Sequence, residues 1–239
     1  MSGAGPMKGI FVTGTDTGIG KTLVASTLLH VIAAQGRKVV GLKPVASGAE
    51  MTAEGLRNDD ALALAAQSSV KLPYELTNPF CFEPAIAPHL AAAEAGTPIR
   101  IDDLVQWYEL ASKDADLTVL EGAGGWRVPL YPDGFLSDLP ERLEQGVILV
   151  VGLRLGCLNH ARLTREAIEG AGRSRLLGWV GNSLPEPLAR LRENIDALSA
   201  LLGGPPIALL PSLPAAEPAA AARWFDYAEL QRRLQPTAI

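Results

Sequence analysis

The run Gly14-Thr15-Asp16-Thr17-Gly18-Ile19-Gly20-Lys21-Thr22 constrains this chain more than any other stretch. Ile10, Phe11, Val12 and Thr13 lead into it as a strand-like run, and a helix-like run from Lys21 to Ala34 follows, so it stands at a strand-to-helix turn. Glycines let the backbone curl until successive N–H groups point inward, and the following helix adds the positive end of its dipole. Such a cup, formed by Gly18, Ile19, Gly20, Lys21, Thr22 and Leu23, holds a triphosphate. Lys21 neutralises the β- and γ-phosphates as a point charge, and the Thr22 hydroxyl is a Mg²⁺ ligand. Counted from Gly14, the interval is one residue longer than the usual G-x-x-x-x-G-K-[ST]. A glycine-rich turn that merely joins strand to helix is the plain alternative, and Gly-Lys-Thr between a strand and a helix favours nucleotide binding.

The rest of the chain repeats the strand–helix alternation, which implies a three-layer α/β fold with a mostly parallel central sheet flanked by helices. Gly36 gives a helix-stop signal, and Lys38 to Leu42 is a second strand ending in Lys43-Pro44-Val45-Ala46-Ser47-Gly48. In open α/β sheets ligands bind at that carboxyl edge. Lys43 beside the phosphate loop is therefore a functional candidate, although a single lysine at a strand end is more often only solvated. A loop from Ala49 to Asn58 leads to Asp59 and Asp60 at the start of a helix through Gln67. Taken alone, those aspartates read as helix-capping and first-turn acids. Between Lys71 and Pro98, prolines break the pattern into short pieces, with a helix start at Pro88-His89; Ile101 to Ala111 is an amphipathic helix.

Leu117 to Leu120 is a buried strand that ends in Glu121-Gly122-Ala123-Gly124-Gly125. An acid at the tip of a core strand beside a phosphate loop is a second source of metal coordination, and the glycines admit close approach of phosphate. With Asp60 in the same chain, metal binding is favoured over a simple Glu-Gly turn. Val147 to Val151 reads as a strand in the middle of the sheet. Its exit, Arg154 to His160, opens a helix to about Glu169 whose free N–H groups suit an anion, though it could equally be only a well-formed helix start. Leu176 to Val180 is a further strand ending at Asn182-Ser183, where the asparagine amide could offer an adenine edge a donor and an acceptor at once, or simply turn the chain. A helix from Leu188 to Leu202, a strand at Ile207 to Leu210, the Pro211-Ser212-Leu213-Pro214 loop and a C-terminal helix complete the order.

Composition narrows the function classes. A chain of 239 residues with net charge −5 and 48% apolar residues suits one α/β domain, here residues 8–239, and suggests no nucleic-acid partner. Residues 1–7 read as a flexible leader, with Met7 a second candidate start. Two cysteines, Cys81 and Cys157, form no C-x-x-C pair, so neither a disulfide framework nor a zinc site is implied. No apolar run is long enough for a membrane span and no export signal opens the chain, so a cytoplasmic location is expected.

Taken together the motifs resemble the dethiobiotin synthetases, ATP-dependent enzymes that act one step before biotin formation. The resemblance rests on Val12 to Thr17 with Gly20-Lys21-Thr22, Lys43 to Gly48, Gly55 to Asn58 with Asp60, Glu121 to Gly125, and Leu155-Gly156-Cys157 with Asn159-His160. It implies 7,8-diaminononanoate, CO₂ (direct or bicarbonate-derived), ATP and Mg²⁺, with closure of a cyclic urea through a carbamate and a carbamic-phosphoric anhydride. Lys21 and Lys43 would then be the catalytic cations. Thr22, Asp60 and Glu121 would hold Mg²⁺, with Gly122, Ala123 and Gly124 beside the phosphates, and Thr17 and Ser47 would orient the diamine. The substrate's far carboxylate would sit at Gly156, Cys157, Leu158 and Asn159, supplied by the partner subunit of a homodimer. Adenine would lie near Asn182 and Ser183, opposite Pro211, Ser212 and Leu213. Two positions depart from the pattern: Gly18 stands where some relatives carry glutamate, and Ser183 where an aspartate often follows the asparagine.

A switch ATPase that positions cargo is the rival on the same fold. Such proteins usually carry a signature lysine where this chain has Asp16, and they have no need of Lys43-Pro44-Val45-Ala46-Ser47. A glutamine-fed amidoligase would need a glutaminase domain for which there is no spare length.

Overall fold

The computed structural model describes residues 7–131, 134–213 and 217–235. The leader expectation falls outside them except for Met7, whose side chain packs against the core.

In chain order, β1 (Gly9–Gly14) leads through the phosphate loop into α1 (Lys21–Ala33) and β2 (Val39–Leu42). Next come the short strands β3 (Val45–Ser47), β4 (Glu50–Thr52) and β5 (Gly55–Arg57), then α2 (Asp59–Gln67), α3 (Tyr74–Thr77), β6 (Phe80–Phe82), α4 (Pro88–Glu94) and α5 (Ile101–Ala111). The second half holds β7 (Leu117–Glu121), β8 (Pro129–Tyr131), β9 (Gly134–Phe135), α6 (Asp138–Arg142), β10 (Gly146–Leu153), α7 (Cys157–Ala171), β11 (Arg175–Ser183), α8 (Leu191–Leu202), β12 (Ala208–Leu210), α9 (Pro218–Ala222) and α10 (Tyr227–Leu234).

The main sheet runs β12-β11-β10-β1-β7-β2, and every neighbouring pair is parallel. Alternate side chains divide between its faces, as the two-residue period of a strand requires. Ile10, Val12, Ile148 and Val150 meet α1, α9 and α10 on one side. On the other, Phe11 and Val147 meet α5 and α6, and Leu149, Val151 and Trp179 meet α7 and α8. Each fully buried leucine or valine of this kind contributes about 1.5–3 kcal/mol. The three layers and the parallel sheet therefore follow from the apolar pattern.

The structure departs from the sequence reading in local detail. The segment expected as a loop before α2 contains the β4–β5 hairpin, whose first strand is wholly exposed and so has no apolar alternation to betray it. Lys43 to Gly48 is likewise not all loop, because Val45–Ser47 pairs in parallel with Phe80–Phe82. The cap of α2 is Asn58, whose Oδ1 accepts from the Ala61 N–H at 3.3 Å, leaving Asp59 and Asp60 in the first turn. β11 runs on to Ser183, so Asn182 lies inside the strand instead of turning the chain. The C-terminal helix is two short helices, α9 and α10.

Candidate active site

Parallel strands all present their carboxyl ends to one edge, and the tips of β1, β7 and β2 bring the charged residues of the sequence together there. The phosphate loop turns on Gly18 (φ +70°) and Gly20 (φ +90°), both left-handed conformations open to glycine. At Gly20 a side chain is also excluded, since a Cβ would stand 2.4 Å from Asn182 Nδ2. Ile19 is buried in the core and half-buried Leu23 packs against it, so any nucleotide contact from either is through the backbone.

Lys21 begins α1 and is 7% exposed, its Nζ donating to the Asp16 carbonyl at 2.8 Å. Burial, and then the charge of Lys43, lower its pKa to about 8. Lys43 is 3% exposed, and its Nζ donates to Asp60 Oδ2 at 2.8 Å, Glu121 Oε1 at 2.8 Å and the Gly122 carbonyl at 3.2 Å. Burial works against this ammonium, yet Glu121 and Asp60 together hold its pKa above the ordinary lysine value. Burial also works against the Asp60 carboxylate, and there the lysine wins, so its pKa lies below the usual range. Glu121, fully buried, is pushed up by desolvation despite Lys43.

Thr22 Oγ1 lies 2.6 Å from Asp60 Oδ1 and 2.9 Å from Glu121 Oε1, two acceptors for one hydroxyl proton. Glu121 Oε2 is buried with no partner at all. This donor set fits Mg²⁺, a hard cation that is held by one or two carboxylates together with a hydroxyl and substrate phosphates. The site itself offers two carboxylates and a hydroxyl, and no group of three or more His, Cys, Asp or Glu gathers anywhere among the described residues.

Above these groups opens a cavity of about 630 Å³. Its polar side is formed by Thr17, Gly18, Gly20, Lys21, Thr22, Lys43, Ser47, Asp60, Glu121 and Gly124. Ser47 Oγ is buried without a hydrogen-bond partner, an unmet need that a bound polar ligand would satisfy. The other side is apolar, with Ala85 to Pro88 facing Ala46, Ala123 and Val128. Sequence reasoning missed this wall, and it quoted Asn58 only as part of a motif, with no site role, although Asn58 also lines the cavity. The available signal was an apolar run, Ala85-Ile86-Ala87, inside a proline-broken loop where no core element was expected.

The remaining candidates stand apart from the cavity. Asn182, paired in register with Leu210, lies behind the phosphate loop, and Pro211, Ser212 and Leu213 follow at once from β12. One N–H of the Asn182 amide is committed, because Nδ2 donates to the Ile19 carbonyl at 2.8 Å, and this bond sets which way the amide faces. Oδ1 and the second Nδ2 hydrogen remain for a base. Half-buried Ser183 ends the same strand. Gly156, Cys157, Leu158 and Asn159 open α7 on the outer surface: Gly156 is its left-handed cap (φ +95°), no side chain caps the helix, and the preceding Leu155 is 94% exposed. Cys157 is turned inward, where burial raises its thiol pKa. An ion pair not foreseen from the sequence, Arg154 with Asp16, ties the start of this segment to the phosphate loop.

A family model described as an AAA domain matches residues 8–220. An ATP-dependent dethiobiotin synthetase BioD of Pseudomonas paraeruginosa is 52% identical over 223 residues, covering 92% of this chain and 96% of its own. A protein of the same description from Chromohalobacter salexigens is 54% identical over 222 residues, covering 89% and 93%. Among solved structures, the MinC:MinD cell division protein complex of Aquifex aeolicus superposes with a TM-score of 0.60 at 17% identity, covering 97% of each chain. A ParA family ATPase from Chlorobium tepidum does so with a TM-score of 0.56 at 13% identity, covering 95% of this chain and 96% of its own. The structural likenesses, at such low identity, speak for the fold alone. No helix among the described residues is long and apolar enough to cross a membrane. The sequence relatives decide between the two readings that share this fold: the chain belongs to the ATP-dependent dethiobiotin synthetases.

Proposed function

We propose that this chain closes a cyclic urea on 7,8-diaminononanoate with CO₂ and ATP, releasing dethiobiotin, ADP and phosphate. The observation that carries the mechanism is the second buried lysine. A nucleotide switch needs the loop lysine, whereas here Lys43 is also buried at the floor of the cavity, held by Asp60 and Glu121 at 2.8 Å.

In this mechanism one amine takes up CO₂ and loses a proton to become a carbamate. A carbamate oxygen attacks the γ-phosphorus, the bond to the β-phosphate oxygen breaks, and ADP leaves. The second amine then attacks the carbonyl carbon of the mixed anhydride, losing a proton as phosphate departs. Phosphoryl transfer of this kind depends on placed positive charge more than on covalent help from the protein. Lys21 holds the β- and γ-phosphates. Lys43 swings from its carboxylates to the carbamate and the γ-phosphate as charge develops between them. Thr22, Asp60 and Glu121 would hold Mg²⁺, which when bound neutralises phosphate charge. Thr17 and the unpaired hydroxyl of Ser47 orient the diamine and its carbamate, and the wall from Ala85 to Pro88 suits its hydrocarbon chain.

The base of ATP lies against Asn182, Ser183 and Pro211 to Leu213. The far carboxylate of the diamine binds the open N-terminus of α7, from Gly156 to Asn159, on a second copy of this chain, since an anion is favoured there and these residues do not line the cavity of their own chain. The test is phosphate release from Mg²⁺ and ATP, with and without the diamine and bicarbonate, paired with mass detection of the cyclic urea. Release that requires both substrates and yields that product is expected; hydrolysis indifferent to the diamine would overturn the proposal in favour of a switch ATPase.

A further inference from the structure

Lys43 lies one residue beyond β2, where the sheet no longer supplies backbone partners, yet its main chain is gripped on both sides. Its N–H donates to the Thr77 carbonyl at 2.8 Å, and its own carbonyl accepts from Asn78 Nδ2 at 2.7 Å. Asn78 is only 2% exposed, and its amide is fully used: Nδ2 also donates to the Phe80 carbonyl at 3.2 Å, and Oδ1 accepts from the Tyr74 hydroxyl at 3.2 Å. Turning that amide over would set its oxygen against two carbonyls, so its orientation is fixed by its partners. The Tyr74 oxygen in turn accepts the Asn58 N–H at 2.7 Å. Asn58 is the cap of α2, two residues before Asp60. Arg57 stacks over the Tyr74 ring at 4.2 Å, and Cys81 Sγ stands 3.5 Å from the hydroxyl.

We infer that Tyr74 and Asn78 are positioning residues which hold Lys43 and Asp60 in register with each other from behind the cavity. The two ends of the Lys43–Asp60 ion pair belong to different elements, the end of β2 and the start of α2, and no main-sheet ladder joins those two sites. The Asn78–Tyr74–Asn58 chain of hydrogen bonds is a direct polar link between them. It fixes where the Lys43 side chain starts and where the first turn of α2 points its carboxylate, so a reacting pair that must part during turnover keeps its starting geometry. The inference rests on the roles proposed above for Lys43 and Asp60.

The test compares Tyr74→Phe and Asn78→Asp with Lys43→Ala in one kinetic series. Tyr74→Phe keeps the ring under Arg57 and removes only the hydroxyl. It should lower kcat about tenfold, as loss of an outer hydrogen-bond partner does at metal sites, with the KM values for ATP and diamine little changed. The ADP-bound protein should also bind Mn²⁺ severalfold more weakly by calorimetry, because Asp60 loses its anchor. Asn78→Asp keeps an acceptor for Tyr74 but loses the donor to the Lys43 carbonyl, so it should lower kcat and leave Mn²⁺ affinity near that of the parent. A fall in Tm alone, with kcat and Mn²⁺ affinity of Tyr74→Phe unchanged while Lys43→Ala is inactive, overturns the positioning role and spares the reading of the site. Full turnover by Lys43→Ala overturns the reading of the site, and this inference with it.

Discussion

On the β2–β7–β1 side of the sheet, the strand tips carry largely buried charged side chains that already hold one another; on the β10–β11–β12 side, beyond the exposed Arg154–Asp16 pair, they carry one amide, uncapped helix N–H groups and the exposed Leu155. Lys43, Asp60, Glu121 and Thr22 form a closed set of contacts of 2.6–2.9 Å within a single chain. Asn182 Oδ1, the start of α7 and Leu155 have no such completion. The difference teaches how the work is divided. On the proposed mechanism, the transferred group is handled by groups that already hold one another, whereas the base and the far end of the substrate meet groups with no such completion.

The most severe way to break the first half is Lys43→Ala. Turnover should fall by about 10³-fold or more, equivalent to about 4 kcal/mol of transition-state stabilisation, while ADP affinity changes little because Lys21 and the loop remain. Loss of nucleotide binding as deep as that of Lys21→Ala would show that the two lysines do not divide the work as proposed. Single-turnover kinetics and ADP calorimetry decide between these results.

The second half can be broken without touching the first. Leu155→Asp puts a charge on a side chain that is 94% exposed in one chain, where it should cost the fold less than about 0.5 kcal/mol. Buried at the centre of an interface between two copies, the same change would cost about 2 kcal/mol or more. Sedimentation should therefore show a shift from dimer toward monomer. The kcat/KM for the diamine should drop by about thirtyfold or more, with ADP affinity retained. An unchanged kcat/KM in a monomeric variant would place the carboxylate site within one chain.

What the sequence revealed follows the same division. The phosphate loop and Val147 to Val151 are legible because local chemistry dictates them: glycines with a lysine at a strand-to-helix turn, and an unbroken apolar run in a parallel sheet. The meeting of Asp60 with Lys43 is not local. Alone, Asp60 reads as an acid in the first turn of a helix, and that reading is correct as far as it goes; its approach to Lys43 depends on α2 returning beside β2. The exposed β4–β5 hairpin has no buried face, so it left no periodicity. The commitment of Asn182 Nδ2 to the Ile19 carbonyl joins residues 163 positions apart, beyond any local pattern. The family resemblance named residues that periodicity could not, and the structure supplied the bond that fixes the Asn182 amide's orientation.

That fixed orientation sharpens the second region at smaller scale. With Nδ2 tethered to the Ile19 carbonyl the amide cannot turn over, so Oδ1 stays free to accept and favours a base that presents an amino group there. ATP should bind about tenfold more tightly than inosine triphosphate, which offers a carbonyl at the same place, a difference of about 1.5 kcal/mol for one hydrogen bond. Asn182→Asp keeps the acceptor and loses the tether to Ile19, so it should weaken both nucleotides and preserve their ratio. Equal binding of the two triphosphates by the parent chain would remove Asn182 from base recognition.

The smallest expected effect lies at the border of the two regions, in the charge on Lys21. Its pKa in the free protein is lowered to about 8, burial being the main cause and Lys43 the next. Phosphate favours the charged form, so binding is coupled to proton uptake once the free lysine begins to lose its proton. For binding the sign is that of a lysine gaining a partner: below about pH 8 the ammonium is present and affinity is flat, and above it affinity falls, by at most about tenfold per pH unit. For the unliganded fold the same shift acts the other way. Between about pH 8 and the ordinary lysine pKa of about 10.4, the unfolded chain holds more protons than the folded one, so this group's contribution to stability rises with pH. ADP titrations from pH 7 to 8.5 should therefore lose about fourfold in affinity on the alkaline side, and Lys21→Gln, with no charge to lose, should bind weakly and without that step. A flat profile for the parent chain would mean that Lys21 stays charged in its pocket, and that Asp16, Asp60 and Glu121 outweigh its burial.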